Sequence, residues 1–262
     1  MALPRLAAKL ALPLPSLRRR QAVSGFAVLL AQLPLHTAAA PPTLRLPPLE
    51  EGKRRLYLAR HGETEWNVRG LIQGRTDNEL NERGRAQAAA LAALLAPTPL
   101  GIVASSPLRR AAETAAIVAR DHPAARRVEE ARLAEMDFGV LEGTAPPGNA
   151  AYAAVTAAWG RGETGARWEG GESADEVAAR GLAGLRALGA LGPRGVARHT
   201  LVVAHGRFNK IVIAALRGDV AKCNEIPQGN TCLNVIDVDE EGNVEVVAVN
   251  IQDHLKLLAV PA

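Results

Sequence analysis

The sequence predicts an α/β fold built on a largely parallel sheet, and three observations carry that prediction. Short apolar runs alternate along the chain with helix-period segments, the order expected of parallel strands joined by helices. Two of the runs, 56–59 and 200–204, stop abruptly at Arg60-His61-Gly62 and at His205-Gly206. A closing pair of alternating segments, 232–239 and 244–250, flanks Glu241-Gly242-Asn243 and reads as a hairpin. No period of 20–50 residues repeats.

The first fifty residues do not read as fold. They are rich in Ala, Leu, Pro and Arg, and residues 1–49 hold six basic groups and no Asp or Glu. This composition fits an organellar transit peptide. Within it, Arg18-Arg19-Arg20 precedes an apolar run, 23–35, and then Thr37-Ala38-Ala39-Ala40, the order of a signal for transfer across a second membrane. The expected destination is the chloroplast, stroma or thylakoid lumen, with the mitochondrion and the secretory route as alternatives. The apolar run contains Pro34 and is too short for a span, which needs ~20 residues. Pro41, Pro42, Pro47 and Pro48 make a stiff linker. The folded, catalytic domain is expected over 51–262, with an insert at about 143–195 shaping specificity.

Charge narrows the function. The whole chain carries 31 basic and 27 acidic groups. Without the leader's six, 25 basic groups face 27 acidic ones, so the body, at −2, is not a basic nucleic-acid binder. The only cysteines, Cys223 and Cys232, have no metal-ligand spacing and read as small buried thiols.

Elements follow in order. Residues 53–59 read as a buried strand. Asn81 caps a helix over 82–95, which Pro97 and Pro99 close. Residues 101–105 form a second strand, and Ser106-Pro107 reads as a cap with proline at the first helical position, opening a helix to about 120. Residues 127–130 suggest a third strand. A Gly/Ala-rich stretch, 139–171, looks loop-like and open, with one short helix at 150–159. Ser173 caps a helix reaching about 191. The strand at 200–204 is followed by a helix over 208–216.

In such sheets ligands bind beyond the carboxyl ends of the strands. His61 and His205 therefore meet at one site if the two strands lie side by side. Arg109 and Arg110 open a helix against its dipole, so at least one of them needs an anionic partner. Arginine binds phosphate through a planar fork. Arg60, an arginine from this pair, Asn67 and His205 supply donors for the three non-bridging oxygens of a phosphoryl group. His61 is then the nucleophile, kept neutral by its arginine neighbours. Glu135, Asp137 and Glu142, on one loop, are the candidates for the acid that protonates the leaving oxygen. Spacing does not choose among them.

These residues fall within a longer series. Arg60-His61-Gly62-Glu63-Thr64-Glu65-Trp66-Asn67, Gln73-Gly74, Asp77, Leu80-Asn81-Glu82-Arg83-Gly84, Ser105-Ser106-Pro107-Leu108-Arg109-Arg110 with Thr114-Ala115, Leu133-Ala134-Glu135, Gly171-Glu172-Ser173 and Val203-Ala204-His205-Gly206 lie in one order. The series resembles the histidine phosphatase superfamily, the phosphoglycerate-mutase-like proteins, and covers about 55–254. The resemblance implies a three-layer α/β/α sandwich, no metal and no cofactor. It maps the nucleophile to His61, the second pocket histidine to His205, the arginines to Arg60 and Arg110, and the general acid to Glu135. Asn67, Gln73, Gly74 and Gly206 fall at phosphate or substrate contacts. Pro107 stands where aspartate is common, and Arg207-Phe208-Asn209-Lys210 where many members have small residues. Arg207 and Lys210 either extend the site toward an acidic substrate tail or decorate a helix start, the second being the default. Only 70 residues separate Glu135 from His205, which favours the phosphatase branch, acting on a small phosphorylated metabolite, over a mutase. A phospho-ligand-binding module without turnover is the third reading. His122 and His199 are expected in solvent, and His254 packed beside the site. Trp66, Trp159 and Trp168 read as core or lid packing.

Overall fold

A computed structural model describes residues 43–193 and 195–259. Most of the leader, residues 1–42, with the targeting signals expected there, lies outside them. Residues 43–50, expected to belong to the leader, pack on the body: Leu44 and Leu46 lie against the core, and the Pro47 carbonyl accepts from Arg55 at 3.0 Å.

Six strands form one sheet in the order β3-β2-β4-β1-β5-β6: β1 (Arg54–Arg60), β2 (Ile102–Ser105), β3 (Arg126–Glu129), β4 (His199–Ala204), β5 (Leu233–Val238) and β6 (Val244–Ile251). The first four in that order are parallel, while β5 and β6 run antiparallel to their neighbours as the hairpin requires. Side chains alternate across a strand, and the core divides accordingly. Leu56, Leu58, Ile102, Val202 and Ile236 face one layer. Tyr57, Ala59, Val103, Leu201 and Val235 face the other. The first layer includes α5 (Ala174–Ala187) and α6 (Gly206–Leu216); the second holds α2 (Glu82–Leu95) and α3 (Arg109–Val118). This is the expected three-layer sandwich. Arg55 and Asp237 stand opposite each other on β1 and β5 and pair through two hydrogen bonds, 2.6 and 2.7 Å, inside the sheet.

Local differences from the expectation have identifiable causes. Helix α3 starts at Arg109, capped by the backbone of Leu108, and not at Pro107. The Ser106 hydroxyl accepts from the Leu108 amide at 3.2 Å, a turn two residues long that delays the helix. Helix α5 stops at Ala187, not near 191, because Gly189 turns the chain with φ +68°. Helix α6 begins directly after His205, ahead of the expected 208. A four-residue helix, α1 (Glu65–Val68), has a reciprocal capping box between Thr64 and Asn67.

The stretch over 139–171 is packed, not open. It carries α4 (Ala150–Gly160), whose Asn149 cap accepts from the Tyr152 amide. Trp159 and Trp168 are buried, and Trp168 stacks on Phe138 and Tyr152 with centroids 5.0 and 5.6 Å apart. Trp66 stays half-buried. His122 is buried and His199, within β4, is half-buried against the Tyr57 hydroxyl, so neither is a solvated histidine. Cys223 and Cys232 are buried and free; burial pushes the Cys232 thiol up to about 11.

Candidate active site

Adjacent parallel strands bring the two histidines together. β1 pairs with β4 through Arg60 opposite Ala204, and the ladder runs one step further, with the His61 amide donating to the Ala204 carbonyl at 3.0 Å. The ring centroids of His61 and His205 are 5.2 Å apart. β2, the other neighbour of β4, contributes Ser106, whose hydroxyl lies 2.8 Å from His205 Nε2.

The tautomer of His61 follows from its partner. Nδ1 sits 2.6 Å from the Gly62 carbonyl, which can only accept, so Nδ1 carries the proton and Nε2 keeps its lone pair. Burial first, then the charges of Arg110 and Arg60, hold the imidazole well below its ordinary pKa, so it is neutral near pH 7. His205 is depressed in the same way, by burial, Arg110 and His61. The Ser106 hydroxyl, which accepts from the Leu108 amide, still has its own proton to give His205 Nε2, an arrangement that puts the imidazole proton on the unpartnered Nδ1.

The arginines differ sharply. Arg110 is fully buried and donates to the Gly74 and Thr76 carbonyls, each at 2.8 Å. Burial lowers its pKa to about 10. Arg109 instead reaches the surface and pairs with Glu79. Arg60 donates to the Gln228 carbonyl at 2.7 Å, and Gly206 lets the first turn of α6 close on its guanidinium. Buried polar groups nearly always find partners. Among the described residues six buried side-chain atoms have none, and three of them, Arg60 Nε, Arg110 Nε and His205 Nδ1, flank His61.

The three loop carboxylates separate cleanly. Glu135 is 7% exposed and faces the cleft, with Oε1 accepting from Met136 and Phe208 amides at 2.9 and 2.8 Å and Oε2 from Arg207 at 3.1 Å. Arg180, paired with Glu172 at 2.7 Å, ties down the carbonyls of Arg132, Ala134 and Glu135. Asp137 only bonds the Gly139 amide. Glu142 reaches back to the turn after Gly74, accepting from Arg75 and Thr76 amides and from the Thr76 hydroxyl at 2.6 Å.

A cleft of about 240 Å³ opens over these groups. Arg60, His61, Asn67, Gln73, Gly74, Arg110, Glu135 and Gly206 all line it. His205 is fully buried against His61 and its side chain does not line the cleft; only its unpartnered Nδ1 is left to meet a group bound at His61. Arg207 and Lys210 line it too, so they are not mere decoration of a helix start. Gln228 and Tyr152 also line it and were not legible, since neither sits in a motif. Asn230 was missed as well; it bonds the His61 carbonyl and Asn67 Oδ1 at 3.3 and 3.1 Å. His254 is buried beside the site and bonds Thr231, whose amide donates to the His61 carbonyl.

Residues 56–252 match the histidine phosphatase superfamily, branch 1. The chain is 37% identical to the glucosyl-3-phosphoglycerate phosphatase of Mycolicibacterium vanbaalenii over 63% of its own length and 75% of the relative's. It is 32% identical to phosphoserine phosphatase 1 of Hydrogenobacter thermophilus, over 77% and 94%. A 2,3-bisphosphoglycerate-dependent phosphoglycerate mutase from Gloeobacter violaceus is 35% identical over 48% and 59%. The solved structure of a mycobacterial glucosyl-3-phosphoglycerate phosphatase superposes with a TM-score of 0.65 at 32% identity, covering 76% of this chain and 99% of that one. With the matched region spanning most of the sequence and the fold in agreement, the chain belongs to the histidine phosphatase superfamily.

Proposed function

We propose that the protein is a metal-independent phosphomonoesterase that hydrolyses a small phosphorylated metabolite through a phosphohistidine on His61. The observation that carries this reading is the set of three unpartnered buried donors, Arg60 Nε, Arg110 Nε and His205 Nδ1, flanking a neutral histidine. Three donors match the three equatorial oxygens of a transferring phosphoryl group, whose charge they stabilise without reorganising.

In the first step His61 Nε2 forms a bond to phosphorus as the bond to the ester oxygen breaks. Glu135 gives that oxygen its proton, and the Nδ1–H bond to the Gly62 carbonyl supports the charge developing on the ring. Water then attacks the phosphohistidine, its proton passes to Glu135, and inorganic phosphate leaves. Asn67, Gln73 and Gly74 border the bound group. We infer further that residues 1–42 act as an organellar leader, which a fluorescent fusion of that segment tests by its location.

The test of the reaction uses the full chain with p-nitrophenyl phosphate and a chelator present. Turnover should persist, a short-lived acid-labile phosphoenzyme should be trapped, and His61→Ala should abolish both. Turnover that needs added metal, or that survives His61→Ala, overturns the proposal. Transfer to a second hydroxyl faster than release of phosphate would make the protein a mutase instead.

A further inference from the structure

The proposed reaction needs Glu135 at a fixed height over the leaving oxygen, yet its segment supplies no rigidity of its own. Residues 134–138 are neither helix nor strand and lie between two 3₁₀ turns, Ala131–Leu133 and Gly139–Leu141. The carboxylate itself is met by the amides of Met136, Arg207 and Phe208. The backbone that carries it must be fixed by something else.

Arg180, on α5, does this with every donor it has. Of its five N–H groups, Nε and one on Nη2 take the two oxygens of Glu172 at 2.7 and 2.9 Å. The other three reach the carbonyls of Arg132, Ala134 and Glu135 at 2.8, 2.7 and 3.1 Å. An ion pair alone would need only the first two. The guanidinium also lies over the Phe208 ring, 5.5 Å from its centroid, and the Phe208 amide is one of those that hold the Glu135 carboxylate.

Glu172 grips the other flank. Its Oε2 accepts from the Asp137 amide at 2.9 Å, and its own amide donates to the Asp137 carbonyl at 3.0 Å. The approach is close: a Cβ on the preceding residue, Gly171, would lie 2.8 Å from that carbonyl. Glu135 is therefore held through residues 132–135 on one side and through Asp137 on the other. Neither Arg180 nor Glu172 lines the cleft, and their side chains are only 17% and 20% exposed. They act on the acid without reaching a bound ester.

We propose that Arg180 and Glu172 are positioning residues for the general acid, a clamp that sets where the Glu135 carboxyl meets the leaving oxygen. This inference rests on the phosphomonoesterase reading. Its signature is selective, because loosening the clamp harms only those esters whose leaving oxygen needs a proton.

The test compares phenyl phosphate with p-nitrophenyl phosphate in kcat/KM, using the full chain. The two share a ring, but nitrophenolate leaves without a proton, whereas the more basic phenolate is helped by one. Arg180→Gln should harm phenyl phosphate about 10- to 100-fold more than p-nitrophenyl phosphate. A misplacement near 1 Å can cost about 10²-fold, and a positioned acid contributes about 10²–10⁴-fold. Arg180→Lys, with three donors in place of five, should recover part of the selective loss. Because the comparison is made within each variant, a general loss of fold or turnover cancels. With Glu135→Gln already in place, Arg180→Gln should add no further selective loss. Equal losses on the two esters, or an undiminished selective loss in the Glu135→Gln background, overturn the clamp. Should Arg180→Gln fail to fold, Glu172→Gln, which removes the charge that holds Arg180, is expected to show the same selectivity and is read by the same criteria. Wild-type turnover of p-nitrophenyl but not of phenyl phosphate also overturns the clamp, since no acid would then be in place. If the wild type hydrolyses neither ester, the phosphatase reading fails and the clamp falls with it.

Discussion

Gly74→Ala should be costly for a reason that a second substitution can remove. Gly74 has φ +51°, and a Cβ placed there would lie 1.9 Å from Glu142 Oε1. The left-handed backbone alone costs a non-glycine residue about 1–2 kcal/mol. The clash then pushes the Glu142 carboxylate off the turn it holds, where it accepts from the Arg75 amide at 2.7 Å and the Thr76 amide at 2.9 Å. Losing one such bond to a charged acceptor adds about 1.5–3 kcal/mol, for a total of about 2.5–5 kcal/mol. With Glu142→Ala in place there is no carboxylate to displace, and Gly74→Ala should cost only the backbone strain. Urea unfolding of the two single variants and the double variant gives the coupling, expected at about 1.5–3 kcal/mol in favour of the double. The same cycle in kcat/KM should show the coupling, because Arg110 donates to the carbonyls of Gly74 and Thr76. Costs that add to within about 0.5 kcal/mol would refute the idea that Gly74 acts through Glu142.

Glu135→Gln should slow alkyl phosphates by about 10²–10⁴-fold, the usual worth of a positioned acid, and p-nitrophenyl phosphate far less, since nitrophenolate leaves without a proton. Equal losses on both would remove Glu135 from the protonation step. Arg110→Met should lower kcat by about 10²–10³-fold. Inorganic phosphate at 100 times its Kd should stabilise the wild type by about 2.7 kcal/mol. In thermal melts the Met variant should lose most of that gain. His254 is fully buried and its pKa is lowered by burial to about 4. Between pH 6.5 and 4 the unfolded chain binds a proton there and the folded chain does not, so stability falls as pH falls, by about 3 kcal/mol across the window. His254→Gln should flatten the slope of unfolding free energy against pH by about 1.4 kcal/mol per unit, and an unchanged slope would contradict the burial of this ring.

The sheet and the meeting of the histidines were legible because strand ends announce themselves: an apolar run that stops at a charged residue marks where the chain leaves the sheet. Helix α2 was equally clear, with Asn81 capping through Gly84 at 2.7 Å and Pro97 and Pro99 beyond its end. Ser106 misled because a hydroxyl before proline spells a helix cap, whereas here it bonds His205 and an amide two residues on. The choice of Arg110 over Arg109, and of Glu135 over Asp137 and Glu142, needed the family resemblance; local sequence does not say which way a side chain on a loop or a helix start will turn. Tyr152, Gln228 and Asn230 were invisible for another reason. Tyr152 and Gln228 reach the cleft, and Asn230 the His61 carbonyl and Asn67, through packing of α4 and of the segment before β5, contacts made across dozens of residues and carrying no local pattern.

The placement of His61 and His205 on neighbouring parallel strands has an evolutionary consequence. Their separation is fixed by the backbone spacing of β1 and β4, together with the ladder bond from the His61 amide to the Ala204 carbonyl. The spacing of the histidine pair is thus as durable as the sheet, while Tyr152 reaches the cleft on α4, a helix outside the sheet. Sequence change on α4 can therefore reshape the mouth of the cleft while the two rings keep their distance.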